Sequence, residues 1–151
     1  MVYPIALIFS LLLLQACSTV PPEYNRASYA FVSYASETSI GYYTGEHCED
    51  IDIDHVVSLA DAHESGAALW SDTEKDLFAN DRSNHVAACS SINRSKGSST
   101  PSDFLRKSND GTGVEFSFAD FCGYVDRYVS VKKAYELSFE NNDGELLESC
   151  G

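Results

Sequence analysis

A chain of 151 residues with 44% apolar and 22% charged side chains can build one hydrophobic core and is too short for two. Ten Lys and Arg against 23 Asp and Glu leave a formal charge of −13, which excludes DNA binding by bulk electrostatics and confines any nucleic-acid contact to a local patch. Eight Phe, nine Tyr and one Trp carry enough large apolar surface to exclude a disordered acidic tail.

Val2 to Leu14 carry no charge, and IALIFSLLLL from Ile5 to Leu14 is too short to cross a roughly 30 Å hydrocarbon core as a helix. It has the length of a signal-peptide apolar region. Leu14-Gln15-Ala16-Cys17 resembles the bacterial lipobox, in which the residue after the small Ala becomes a lipidated cysteine. Residues 1–16 are therefore expected to be a lipoprotein-type signal. Cys17 would be the lipid anchor to a membrane, and the mature chain would be exported to the periplasm or cell envelope. No Lys or Arg precedes the apolar stretch, so a plain cleaved signal stays as the alternative.

Four further cysteines, at 48, 89, 122 and 150, suit two disulfides in an oxidising compartment, with three pairings open. Cys48 with Cys89 and Cys122 with Cys150 is favoured, because the first pair would flank the open end of two antiparallel strands. Zinc fits poorly, since no CxxC pair exists.

Residues 17–45 are rich in Ser, Tyr and Ala without a sustained period and read as a tether, followed by one domain over 46–140. Asp50 to Val57 (DIDIDHVV) alternates Ile51 and Ile53 with Asp52 and Asp54, the period of a half-buried strand. A short helix is expected around Leu59 to Glu64. Ser71 with Glu74 forms a capping-box pattern opening a helix to about Ala79. Asn84 to Ser90 reads as a second strand, and a helical turn or two from Ile92 ends at Gly97. Thr100-Pro101-Ser102-Asp103 is ordered as a helix start, with a run to about Lys107. Phe118, Phe121, Val125, Tyr128, Val129 and Tyr135 recur at helical spacing within Ser117 to Leu137, the expected main packing helix, and this stripe reads as core. Residues 141–151 read as an acidic surface segment held by Cys150. The expected class is α+β.

Asp54-His55 at a strand end, Asn84 at the start of the next strand, Asn93 in the following helix and Lys96 one turn on make a strand–strand–helix unit. DIDHVVSLADAHESGA ending at Ala67, FANDRSNHVAACSSINRSKG from Phe78 to Gly97 and CGYVDRYVSVKKAYELS from Cys122 to Ser138 resemble the HNH endonucleases (His-Me finger, ββα-metal). The likeness is to small secreted bacterial members and to the C-terminal domain of modification-dependent restriction enzymes of the GmrSD type. It implies a ββα-metal (HNH) core with additional packing helices. It also implies a phosphodiester hydrolase acting on DNA, with RNA as a second candidate, leaving a 5′ phosphate.

Such cleavage needs a base for water, a cation against the charge building on the phosphate, and help for the leaving oxygen. His55, with an ordinary pKa of about 6.5, can accept the proton when a partner fixes one ring nitrogen. In the resembled family the residue at the position of Asn84 does the fixing. By the same resemblance Asp54 and Asn93 are the metal ligands. Two oxygen ligands favour Mg²⁺, with Mn²⁺ as substitute, over Zn²⁺. His63, in AHESG, has no chemical task assigned, and His85 stands where an apolar neighbour of Asn84 is usual.

Arg94 to Lys107 holds four basic residues against one Asp, and Arg127, Lys132 and Lys133 sit on the last long helix. Arg94 and Lys96, with Arg106 and Lys107, are expected to contact phosphates beside the metal with weak sequence preference. The alternative is a noncatalytic, disulfide-stabilised envelope lipoprotein that uses an HNH-like fold for binding. A calcium module fails, because the EDIDID run lacks the spacing and glycine of an EF-hand.

Overall fold

The computed structural model describes residues 20–151, so the expected signal segment and Cys17 lie outside the described residues. The architecture is mixed helix and strand. Strand β1 (Ile51–His55) is followed by helices α1 (Leu59–Glu64) and α2 (Asp72–Asn80), strand β2 (His85–Cys89), and helices α3 (Ser90–Lys96), α4 (Pro101–Lys107), α5 (Phe121–Ala134) and α6 (Gly144–Ser149). Among the described residues no helix is long and apolar enough to cross a membrane.

Local chemistry accounts for most boundaries. The Ser71 hydroxyl accepts from the Glu74 amide while the Glu74 carboxylate accepts from the Ser71 amide, the reciprocal capping box that starts α2. The Thr100 side chain caps α4 with Pro101 in its first turn. Gly97, at φ 55°, ends α3 in a backbone conformation that a side chain resists. Helix α5 is shorter than the apolar stripe implied. The Asp120 side chain accepts from the Gly123 amide and fixes the helix start there, so Phe118 packs from an extended segment instead.

The two strands pair antiparallel, with Ile51 opposite Cys89, Asp54 opposite Val86 and His55 opposite His85. Cys48 is bonded to Cys89 and Cys122 to Cys150. The first disulfide closes the open end of the hairpin and the second staples α6 to the start of α5. Gly41 is required beside the first bridge, since a Cβ there would stand 2.8 Å and 2.9 Å from the two sulfurs.

The core gathers Val56, Val57, Leu59, Phe78, Val86, Ile92, Phe104, Tyr124 and Tyr128 from both strands and five helices or their flanks. Burying a side chain such as Phe78 contributes about 2–3 kcal/mol. Tyr29 and Tyr43 belong to this core, which corrects the tether expected over 17–45. From about Tyr24 onward that segment lies on the domain because its tyrosines supply apolar area. The Ala30 amide donates to Asp76 Oδ1, and the Val32 amide donates to Asn80 Oδ1.

Two ion pairs are buried. Lys132 Nζ stands 3.1 Å from Asp61 Oδ1, and Tyr128 Oη donates to Asp61 Oδ2 at 2.6 Å. Lys132, fully buried, is therefore no part of a surface rim. The second pair joins Lys96 to Asp54.

Candidate functional site

Side chains alternate across a strand, so Asp52 and Asp54 face one side of the hairpin and Ile53 and His55 the other. Helix α3 follows β2 directly and covers the aspartate side. Asn93 Nδ2 donates to Asp52 Oδ2 at 3.2 Å. One turn on, Lys96 Nζ lies 3.0 Å from Asp54 Oδ2 and donates to the His55 carbonyl at 2.7 Å. Tyr43 Oη donates to Asp54 Oδ2 at 2.6 Å. Burial, the Asp54 charge and that hydrogen bond hold the Tyr43 phenol well above its ordinary pKa, so it stays a donor.

Asp54 and Asn93 thus sit on the same side of β1, but the structure joins Asn93 to Asp52 and Asp54 to Lys96. Lys96, expected at the phosphate, is fully buried. Its ammonium gives its donors to Asp54 and a carbonyl, because its position three residues after Asn93 turns it onto the strand. Arg94 points to solvent from the same helix. Arg106 is paired with Asp103 and Asp110, and Lys107 holds Ser95 and Ser99, so the basic rim expected over 94–107 reduces to Arg94.

On the opposite side, His55 is 5% exposed and its Nε2 lies 2.8 Å from the Ala79 carbonyl oxygen. A carbonyl only accepts, so Nε2 carries the proton and Nδ1 holds the lone pair. Among the described residues Nδ1 has no hydrogen-bond partner. Burial pushes the imidazole pKa down to about 4, opposing the bond to Ala79, with His85, Lys96 and Arg26 adding to the fall. At neutral pH the ring is uncharged. Phe31 packs edge-on at 4.8 Å between centroids and His85 at 4.6 Å. His85 donates to the same Ala79 oxygen at 3.0 Å, and its Nδ1 accepts from Tyr34 Oη at 3.2 Å.

Asn84 does not orient the imidazole. The hairpin register sets it beyond the end of β1, where its Oδ1 accepts from the Val57 amide at 2.8 Å and its Nδ2 donates to the Val57 carbonyl at 3.0 Å. Its own carbonyl accepts from the Val56 amide. Fully buried, it clamps the chain where it leaves the strand. Ala79, at the end of α2, fixes the ring in its place. His63 lies apart from the site and pins the N-terminal segment, with Nε2 donating to the Pro22 carbonyl and Nδ1 accepting from Tyr29 Oη.

Tyr43, Phe31, Asp52 and the Ala79 carbonyl were not singled out in the sequence. Asp52 alone left a signal there, since it stands two residues before Asp54 on the same strand face.

Asp52, Asp54 and Asn93 present oxygen donors, while the imidazoles face away and Cys48, Cys89, Cys122 and Cys150 are all spent in disulfides. This donor chemistry fits a hard divalent cation and not zinc. Asp54 is already neutralised by Lys96, so Asn93 Oδ1 and the second Asp52 oxygen are the donors without partners among the described residues. Those residues contain no cluster of three His, Cys, Asp or Glu suited to a metal.

No family model matches the chain, and no solved structure does. The chain is 33% identical over 102 residues to a protein of Arthroderma benhamiae described as an "Uncharacterized secreted protein". The match covers 66% of this chain and 46% of that protein, so this chain spans less than half of that relative's length.

Proposed function

We propose that the protein is an exported, metal-dependent endonuclease of low sequence specificity, with His55 as the general base. The observation that carries this is the tethered imidazole: neutral, its Nε2 proton held by a backbone carbonyl and its Nδ1 lone pair uncommitted, at the end of a strand whose other face carries Asp52 and Asp54 beneath Asn93 of α3. A base so fixed accepts a proton from water without reorienting. In this reading the water proton moves to Nδ1 as the oxygen attacks phosphorus and the P–O bond to the leaving sugar oxygen breaks, that oxygen taking a proton from water, while the Nε2 proton stays on the ring, donated to the Ala79 carbonyl.

Asn93 with Asp52 or Asp54 would hold Mg²⁺, or Mn²⁺ in its place, and the ion would supply positive charge against the phosphate. Arg94, exposed on the same helix, is the phosphate contact. Export is supported by two disulfides, by the apolar N-terminal segment and by the secreted relative. Cys17 is the proposed lipid anchor.

A noncatalytic binding module is the second reading. The Lys96–Asp54 pair favours it, because a lysine already supplies the charge that a cation would. Plasmid nicking by the purified protein separates the two. The nuclease reading expects nicking with Mg²⁺ or Mn²⁺, none with Zn²⁺ alone, and none from a folded His55→Ala protein. A wild type as inert as that variant in every metal selects the binding module.

A further inference from the structure

Apart from Arg94, the cationic rim expected on α3 and α4 is tied up by carboxylates, hydroxyls and backbone, yet unneutralised arginines stand elsewhere. Arg82 is exposed just before β2, and its guanidinium carbon lies 3.9 Å from the centroid of the Tyr34 ring. Arg127 of α5 donates to the carbonyls of Ser83 and His85 and lies 5.8 Å from the Tyr42 ring. Neither has a carboxylate within ion-pair distance among the described residues, in a chain with 23 acidic side chains. The nearby Asp81 is held by Ser83 and by Tyr135 Oη.

Arg82, Tyr34 and Phe31 lie on the face of His55, and Arg127 lies at the outer edge of β2 beside it. Tyr34 donates to His85, Phe31 touches both imidazoles, and along the outer edge of β2 Arg127 binds the His85 carbonyl while the Tyr42 amide donates to the Ala87 carbonyl. We infer that this face binds single-stranded nucleic acid, with bases stacking on the Arg82–Tyr34 pair and on Phe31, and phosphates drawn by Arg82 and Arg127. The inference rests on the nuclease reading and adds its substrate class.

Guanidinium planes and aromatic rings recognise the faces of bases, which only an unpaired strand offers to a protein surface. A duplex keeps those faces inside its stack. His55 is 5% exposed behind the half-buried Phe31, so a flexible strand would approach it more readily than a rigid helix. Stacked arginine adds charge without cost in order, because Tyr34 already holds it in place. Two such arginines within an acidic molecule imply modest affinity that salt weakens.

Fluorescence anisotropy in EDTA, where metal-dependent cleavage is off, tests this with a labelled oligothymidylate, an oligouridylate and a duplex of equal length. Single strands are expected to bind several-fold more tightly than the duplex. Arg82→Ala and Tyr34→Ala should each weaken binding by about tenfold, the scale of one lost base stack. Tyr34→Phe keeps the ring and loses only the bond to His85, so it should bind like wild type, and Arg106→Ala on the opposite rim should do the same. The deoxy and ribo strands decide between DNA and RNA. Equal or tighter duplex binding, binding to neither strand, or a Tyr34→Phe loss equal to that of Tyr34→Ala would overturn the inference. Strand binding without cleavage in Mg²⁺ supports this face and removes the nuclease reading. Cleavage with binding indifferent to Arg82 and Tyr34 does the reverse.

Discussion

His55 makes the protein's stability depend on pH in a window where few other groups titrate. In the unfolded chain its imidazole gains a proton near pH 6.5, and in the fold near pH 4. Between these values the unfolded chain holds a proton that the folded protein refuses. Acidification through the window therefore draws the equilibrium toward unfolding, and the stabilisation present above pH 6.5 is lost by pH 4. At about 1.36 kcal/mol per unit, a fall from 6.5 to about 4 corresponds to a loss of about 3 kcal/mol. His85, also lowered by burial, adds in the same direction. Asp81, Glu74 and Asp110, whose pKa values are lowered by hydrogen bonds to Ser83, Ser71 and Thr112, begin to lose their contributions only as pH falls to the usual carboxylate range, at the bottom of this window.

The measurement is urea unfolding of wild type and His55→Gln at several values between pH 7 and pH 4. Glutamine keeps an amide able to donate to Ala79 and has nothing to titrate. The variant should start less stable and lose about 3 kcal/mol less than wild type across the window. Parallel losses in the two proteins would refute the claim that His55 is buried uncharged and held by that carbonyl.

Removing the ammonium with Lys96→Met leaves Asp54 a buried, unpaired carboxylate and should cost about 3–5 kcal/mol in denaturant unfolding, whereas adding Asp54→Asn should recover much of it. Losing the Cys48–Cys89 bridge, which spans 41 residues, should cost about 4 kcal/mol by loop entropy, measured on the Cys48→Ser, Cys89→Ser double variant. Tyr124 Oη is buried with no partner among the described residues, so Tyr124→Phe should leave stability unchanged or raise it by about 1 kcal/mol, read as a higher Tm. Ser71→Ala breaks the capping box of α2 and should cost about 1 kcal/mol.

The elements with local signals were legible. DIDID alternation, the Ser71–Glu74 box, Thr100-Pro101 and Gly97 each act within a few residues, and β1, α2, α4 and the end of α3 lie where they place them. The Cys48–Cys89 pairing followed from the hairpin they flank. What the sequence hid were contacts between segments distant along the chain. Tyr43 reaches Asp54 across 11 residues and the Ala79 carbonyl reaches His55 across 24, and no short pattern encodes either. The residues before Tyr43 looked like a tether because aromatic side chains without a period carry no sign of the surface they will cover. Helix α6 was missed for a related reason. GELLES is too short to form a stable helix alone, and it is held by the Asp143 cap and the Cys122–Cys150 staple.

Adjacency in sequence also concealed a division in space. Asp54 and His55 are neighbours, so as a motif they read as one site, yet the strand's period of two sends their side chains to opposite faces. Lys96 binds both residues, through the Asp54 carboxylate and the His55 carbonyl. The proposed nuclease reading would need a phosphate to reach both faces of β1, whose end runs into the fully buried Val56 and Val57. Asn84 holds that end with three hydrogen bonds, accepting from the Val56 and Val57 amides and donating to the Val57 carbonyl. Asn84 thus sets where the strand stops, and with it the place of His55, without touching the ring. Asn84→Ala should for this reason lose any cleavage activity while the His55 pKa, followed by NMR titration, moves far less than in an Ala79→Pro protein, whose α2 terminus is displaced. A large shift of the imidazole in Asn84→Ala would mean that the amide governs the ring after all.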